Sequence, residues 1–102
     1  MSRHIETFRF EWNGITIEVR WEPVWLNMRG GFATGHLEIE IVSPENAPLP
    51  ITETGYRSHF TSPETVASLG GPIAFVEAWL DEESQSPRWR DAEQNRRQLS
   101  LF

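Results

Sequence analysis

The chain has 102 residues, a formal net charge of −6, five tryptophans, six phenylalanines, one tyrosine and no cysteine. A chain of this length makes one domain that buries about two-thirds of its unfolded surface, so its aromatic side chains must supply a dense core. The missing cysteine excludes a thiol nucleophile, a disulfide frame and a thiolate zinc site, and all nine basic residues are arginine, which excludes Schiff-base and lysine-dependent phosphate-loop chemistry. Met1 to Glu6 hold no apolar signal region and no apolar run nears the length of a membrane span. A soluble, cytoplasmic protein without a membrane partner is expected.

The first element is a β-hairpin. Asn13-Gly14 stands between two alternating segments, the residue pair that a tight type I′ turn demands. A two-residue loop sets Trp12 opposite Ile15, Phe10 opposite Ile17 and Phe8 opposite Val19, with Trp21 on the same, core-facing side. On the other side Arg9 meets Glu18 and Thr7 meets Arg20. From Glu22 to Gly31 the alternation lapses around Pro23 and the Gly30-Gly31 pair, which reads as a connection with Trp25 and Leu26 folded over one end of the sheet. That glycine pair lacks the spacing and the lysine of a phosphate loop. Alternation returns from about Phe32 to Val42, with Leu37, Ile39 and Ile41 inward and His36, Glu38 and Glu40 outward, which predicts a third strand.

Three prolines make Ser43 to Pro50 a loop. Leu49 and Ile51 are candidates for a short edge strand. The stretch from Thr52 to Phe60 has no period and reads as a polar loop, whose Tyr56, Arg57, Ser58 and His59 are candidates for a second partner surface. Ser62-Pro63 then has the form of a helix cap followed by proline at the first helical position, and Gly70-Gly71 closes that helix near Leu69. Pro72 opens a second helix with Ile73, Val76 and Leu80 on one stripe and Phe75 and Trp79 beside it. The acidic Asp81-Glu82-Glu83 opposes the helix dipole and predicts fraying there. Ser86-Pro87 starts a third helix running to about Arg97, in which Glu93 is spaced to pair with Arg96 or Arg97.

Strands followed by helices predict an α+β domain: an antiparallel sheet of three to four strands packed by two to three C-terminal helices. Residues 1–97 form that single domain. Residues 98–102 are a separate peptide motif.

That motif, Gln98-Leu99-Ser100-Leu101-Phe102, resembles at all five positions the peptide by which many bacterial replication and repair proteins bind the DNA polymerase III β sliding clamp. The resemblance implies that Gln98 is a rim contact, that Leu101 and Phe102 fill a pocket, and that Leu99 and Ser100 set the backbone path. A structural alternative stays open, in which the same apolar residues close the core. The latter half of the chain, with Thr54 to Phe60, Gly70-Gly71-Pro72, Trp79-Leu80-Asp81 and the arginine-rich helix, is similar to a family of short proteins of proteobacterial plasmids and mobile elements. No activity is assigned to that family, so it implies context alone.

Catalysis is not expected. His4, His36 and His59 lack ligand spacing, no nucleophile, base and acid can be placed together, and neither a metal nor a cofactor is called for. Pro87 to Phe102 holds Arg88, Arg90, Arg96 and Arg97 against Asp91 and Glu93, about +2, which leaves about −8 of the net −6 to the rest of the chain. Such a body repels nucleic-acid phosphates, so direct nucleic-acid binding is not expected. The reading is therefore a small accessory protein, an adaptor or competitor that engages the β clamp. The alternative is an acidic inhibitor or nucleic-acid mimic of a host defence protein, occupying a basic groove.

Overall fold

A computed structural model describes residues 4–27 and 33–100, with the backbone alone at 26–27 and 97–100. Four strands, β1 (Glu6–Trp12), β2 (Ile15–Asn27), β3 (Ala33–Ser43) and β4 (Tyr56–Thr61), precede three helices, α1 (Pro63–Ser68), α2 (Pro72–Glu83) and α3 (Pro87–Ser100). The sheet is antiparallel throughout, in the order β1-β2-β3-β4. This is the expected α+β arrangement.

Asn13 and Gly14 take φ of 49° and 78°, the conformation that a two-residue type I′ turn requires. The hairpin register is the predicted one, with Trp12, Phe10 and Phe8 paired to Ile15, Ile17 and Val19. Trp12, Ile15, Ile17, Val19 and Trp21 are buried, joined by Leu37 and Ile39 of β3, while Phe8, Phe10 and Ile41 pack half-buried around them. From the helices, Val66, Val76 and Leu80 complete the buried cluster, flanked by Phe75, Trp79 and Trp89. One sheet face is thus covered by helices, and the other faces solvent.

Several elements differ from expectation, each for a physical reason. β2 does not end at Trp21. Pro23 lacks the N–H that a ladder needs, so the pairing skips between Glu22 and Leu26 and then resumes opposite Thr34. Leu49 and Ile51 are buried, but they begin no edge strand. Leu49 makes a single bridge to Thr52, because Pro48 and Pro50 deny the segment a ladder. The edge strand is β4, the stretch that reads as a loop.

Helix caps follow the sequence. Ser62 Oγ accepts from the Thr65 amide (3.2 Å) and Ser86 Oγ from the Trp89 amide (3.2 Å). α2 keeps its last turn through Glu83 despite the acidic run, because Asp81 Oδ1 accepts a hydrogen bond from Trp12 Nε1 at 2.9 Å. Glu93 makes no ion pair with Arg96; the Arg96 guanidinium instead lies 4.9 Å from the centre of the Trp89 ring.

Gly35 of β3 lies against the Trp21 indole, and a Cβ added there would fall inside the ring. Strand propensity alone favours alanine over glycine. Gly35→Ala is nevertheless expected to lower stability by about 1–3 kcal/mol, the usual cost of overpacking, as read by urea unfolding. A variant as stable as the parent would show that Trp21 is free to move aside.

Candidate functional site

β4 sorts the sequence-predicted residues Tyr56, Arg57, Ser58 and His59 onto two faces. Pairing with β3 sets Tyr56 opposite Glu40 and Ser58 opposite Glu38 on the open face, with Phe60 opposite His36. Arg57 and His59 point to the helices. The Arg57 guanidinium sits 5.5 Å from the centre of the Trp79 ring, and His59 packs 4.7 Å from Trp79 and 6.0 Å from Phe75, centre to centre. Burial among these rings, reinforced by the Arg57 charge, lowers the His59 pKa from the ordinary imidazole value and so favours the neutral ring. The four residues do not form one surface: two help close the helical side and two face solvent.

On the open face Arg20 is the hub of a charge network. Its Nη1 donates to Glu18 (2.6 Å) and Glu40 (3.3 Å), and its Nε and Nη2 both reach Glu38 (3.2 and 2.9 Å). Burial works against the Arg20 charge, but its hydrogen bonds to Glu38, Glu18 and Glu40 outweigh that and hold the guanidinium firmly protonated. Hydrogen bonds from Arg20 and then Arg9 draw the Glu18 carboxyl below the usual carboxylate range. Beside this network three rings from three strands meet: Phe60 lies 4.5 Å from His36 and 4.8 Å from Trp25. His36 Nε2 also shares a 2.7 Å hydrogen bond with Ser58 Oγ. Trp25 therefore lies on the open face of the sheet and does not fold over its end. Trp25 and Phe60 remain 46% and 49% exposed, so they form an apolar patch on an otherwise polar face.

On the helical side α3 is held by Trp89, whose ring lies 6.5 Å from that of Trp12. Between this helix, the Pro48 to Glu53 segment and the start of β4 is an open cleft of about 650 Å³. Arg57, Arg88 and Arg96 line it together with Tyr56, Glu53 and Glu83. Sequence reasoning did not find this cleft, because its walls come from three separated segments; the one visible signal was the local excess of arginine after Pro87. Of the pentapeptide, Gln98, Leu99 and Ser100 continue the α3 backbone as helix, while Leu101 and Phe102 lie outside the described residues. Among the described residues no cluster of three His, Asp or Glu side chains could hold a metal ion, and no helix is long and apolar enough to cross a membrane.

These features describe an α+β domain whose chemistry is charged, aromatic and surface-borne. The sequence profile of the family described as KlcB third domain matches residues 5–89, most of the chain. The chain belongs to that family, a plasmid-associated accessory domain. The match takes in the whole sheet together with α1 and α2. It ends at Trp89, before the pentapeptide. No curated protein and no solved structure matches the chain.

The His59 environment has a consequence for stability. Its folded pKa lies below the ordinary 6.5, so the unfolded chain takes up the proton first and stability falls as pH drops through about 6.5, levelling once the folded ring is also protonated. Glu18 acts lower, its contribution present above about 4.5 and lost below that. Denaturant unfolding at pH 7.5 and 5.5 should show the first loss in the wild type and a smaller one in His59→Gln. Equal losses in the two proteins would place the pH sensitivity elsewhere.

Proposed function

We propose that this domain is a non-catalytic, protein-binding accessory that engages the bacterial DNA polymerase III β clamp through Gln98, Leu99, Ser100, Leu101 and Phe102, as an adaptor or competitor at replication sites. The observation that carries the reading is the five-of-five match of this peptide to the clamp-binding pattern, in a segment outside the family's shared fold. Its position supports the assignment. The buried cluster among the described residues draws on Trp12 to Leu80, with Trp89 packed at its edge. At a helical rise of 1.5 Å per residue, Gln98 stands about 14 Å along α3 from the Trp89 anchor. Helix ends fray at little cost, so the last turn can open to present the peptide without disturbing the sheet.

The rival reading, an acidic mimic acting on a basic groove, has less support. Arg9 and Arg20 are interleaved with Glu18, Glu38 and Glu40 across the open sheet face and neutralise much of its charge. A plasmid-borne accessory that reaches the host replication machinery by one short peptide is consistent with the family's setting.

A two-anchor peptide of this size implies a Kd of about 1 μM, with most of the affinity in Leu101 and Phe102. Titration of purified clamp by calorimetry should show binding by the wild type and none by the Leu101→Ala, Phe102→Ala double variant, each first shown to be folded by circular dichroism. Arg96→Ala should weaken binding slightly, and mainly at low salt. Equal binding by the wild type and the double variant would remove the clamp assignment.

A further inference from the structure

We propose that the cleft between the Pro48 to Glu53 segment, the start of β4 and α3 binds an apolar, carboxylate-bearing peptide segment of a protein partner, with Arg57 and Arg96 receiving the carboxylate. This site stands apart from the clamp-binding peptide: the residues that carry it precede Gln98. At about 650 Å³ the cleft is within the range of ligand-binding pockets.

Both arginines are held by aromatic rings. Arg57 lies over Trp79 and Arg96 over Trp89, at 5.5 and 4.9 Å from the ring centres. Stacking of this kind occupies the face of a guanidinium and leaves its N–H edge for hydrogen bonding. Among the described residues neither side chain has a carboxylate partner, in contrast to Arg88, which pairs with Glu53 at 2.8 Å. Among the described residues, one Nη of Arg96 is shut off from solvent and meets no acceptor. The fold thus leaves a charged donor unsatisfied beside an open cleft, and a small rotation of the guanidinium toward an entering carboxylate would satisfy it.

Charge and lining choose between ligand classes. The cleft wall carries Arg57, Arg88 and Arg96 against Glu53 and Glu83, a net charge of about +1 in a protein whose total is −6. A single carboxylate balances that charge, whereas a phosphate dianion would overshoot it and meet both glutamates. Pro48, Pro50, Ala92 and the Trp89 ring add apolar patches to a largely polar wall, where aliphatic side chains on either side of the acid can rest. Ser86 Oγ, which accepts from the Trp89 amide, can still donate its O–H to a peptide carbonyl.

The test uses isotope-labelled protein and three probes: acetyl-Pro-Leu-Asp-Leu-amide, the same peptide with asparagine for aspartate, and phenyl phosphate. The aspartate peptide should shift the Trp89 indole N–H and Arg96 Nε–H resonances with millimolar affinity, and the asparagine peptide should bind about tenfold more weakly, as loss of a charge-assisted hydrogen bond implies. Arg57→Gln and Arg96→Gln should each weaken the aspartate peptide severalfold while the spectrum stays dispersed. If Arg96→Gln fails to fold, Arg57→Gln and the peptide pair decide. Equal shifts by the two peptides, no shift at about 10 mM, or tighter binding of phenyl phosphate would each overturn the proposal.

Discussion

Trp12 joins the three layers of contact on which this domain depends. It is the last residue of β1, placed by the turn at Asn13-Gly14, and it is buried against the sheet core. Its indole N–H donates to Asp81 near the end of α2, and its ring meets Trp89 at the start of α3. A single side chain therefore couples the hairpin register to the seating of both long helices. Trp89 in turn supports Arg96, so the geometry of the arginine cleft descends from the same contact. A slip of one residue in the hairpin would carry Trp12 to the open face and release all of it.

The two faces of the sheet divide the remaining work. The helical face holds the apolar cluster, and at its margin aromatic rings close it over Arg57 and His59 of the edge strand. On the open face Arg20 ties three glutamates together and Arg9 pairs with one of them, so these charges are bonded locally although the face keeps a net negative charge. Features able to meet a partner are consequently pushed to the margins: the Trp25, His36 and Phe60 patch, the cleft under α3 and the far end of α3.

The elements that could be read from the sequence are those whose side chains obey one local rule. Alternation plus an Asn-Gly turn yields the hairpin register residue by residue, and serine-proline pairs mark the starts of α1 and α3. β4 was illegible because its helix-facing positions are Arg57, His59 and Thr61, none of them apolar, and the Trp79 and Phe75 rings that meet Arg57 and His59 come from a helix later in the chain. The survival of the acidic end of α2 was hidden for a similar reason, since it depends on a hydrogen bond from Trp12. Among candidate sites, the pentapeptide is legible as a linear string, whereas the cleft and the ring patch exist only once separate segments meet.

On the proposed reading the clamp engages the segment after α3's Trp89 anchor and leaves the sheet body unchanged. Adding unlabelled clamp to isotope-labelled protein and following every backbone amide would test it directly. Signals from Gln98 to Phe102 should broaden or shift first, with β1 to β4 unaffected at their own positions. Perturbation centred on the sheet, with those five residues unchanged, would contradict it.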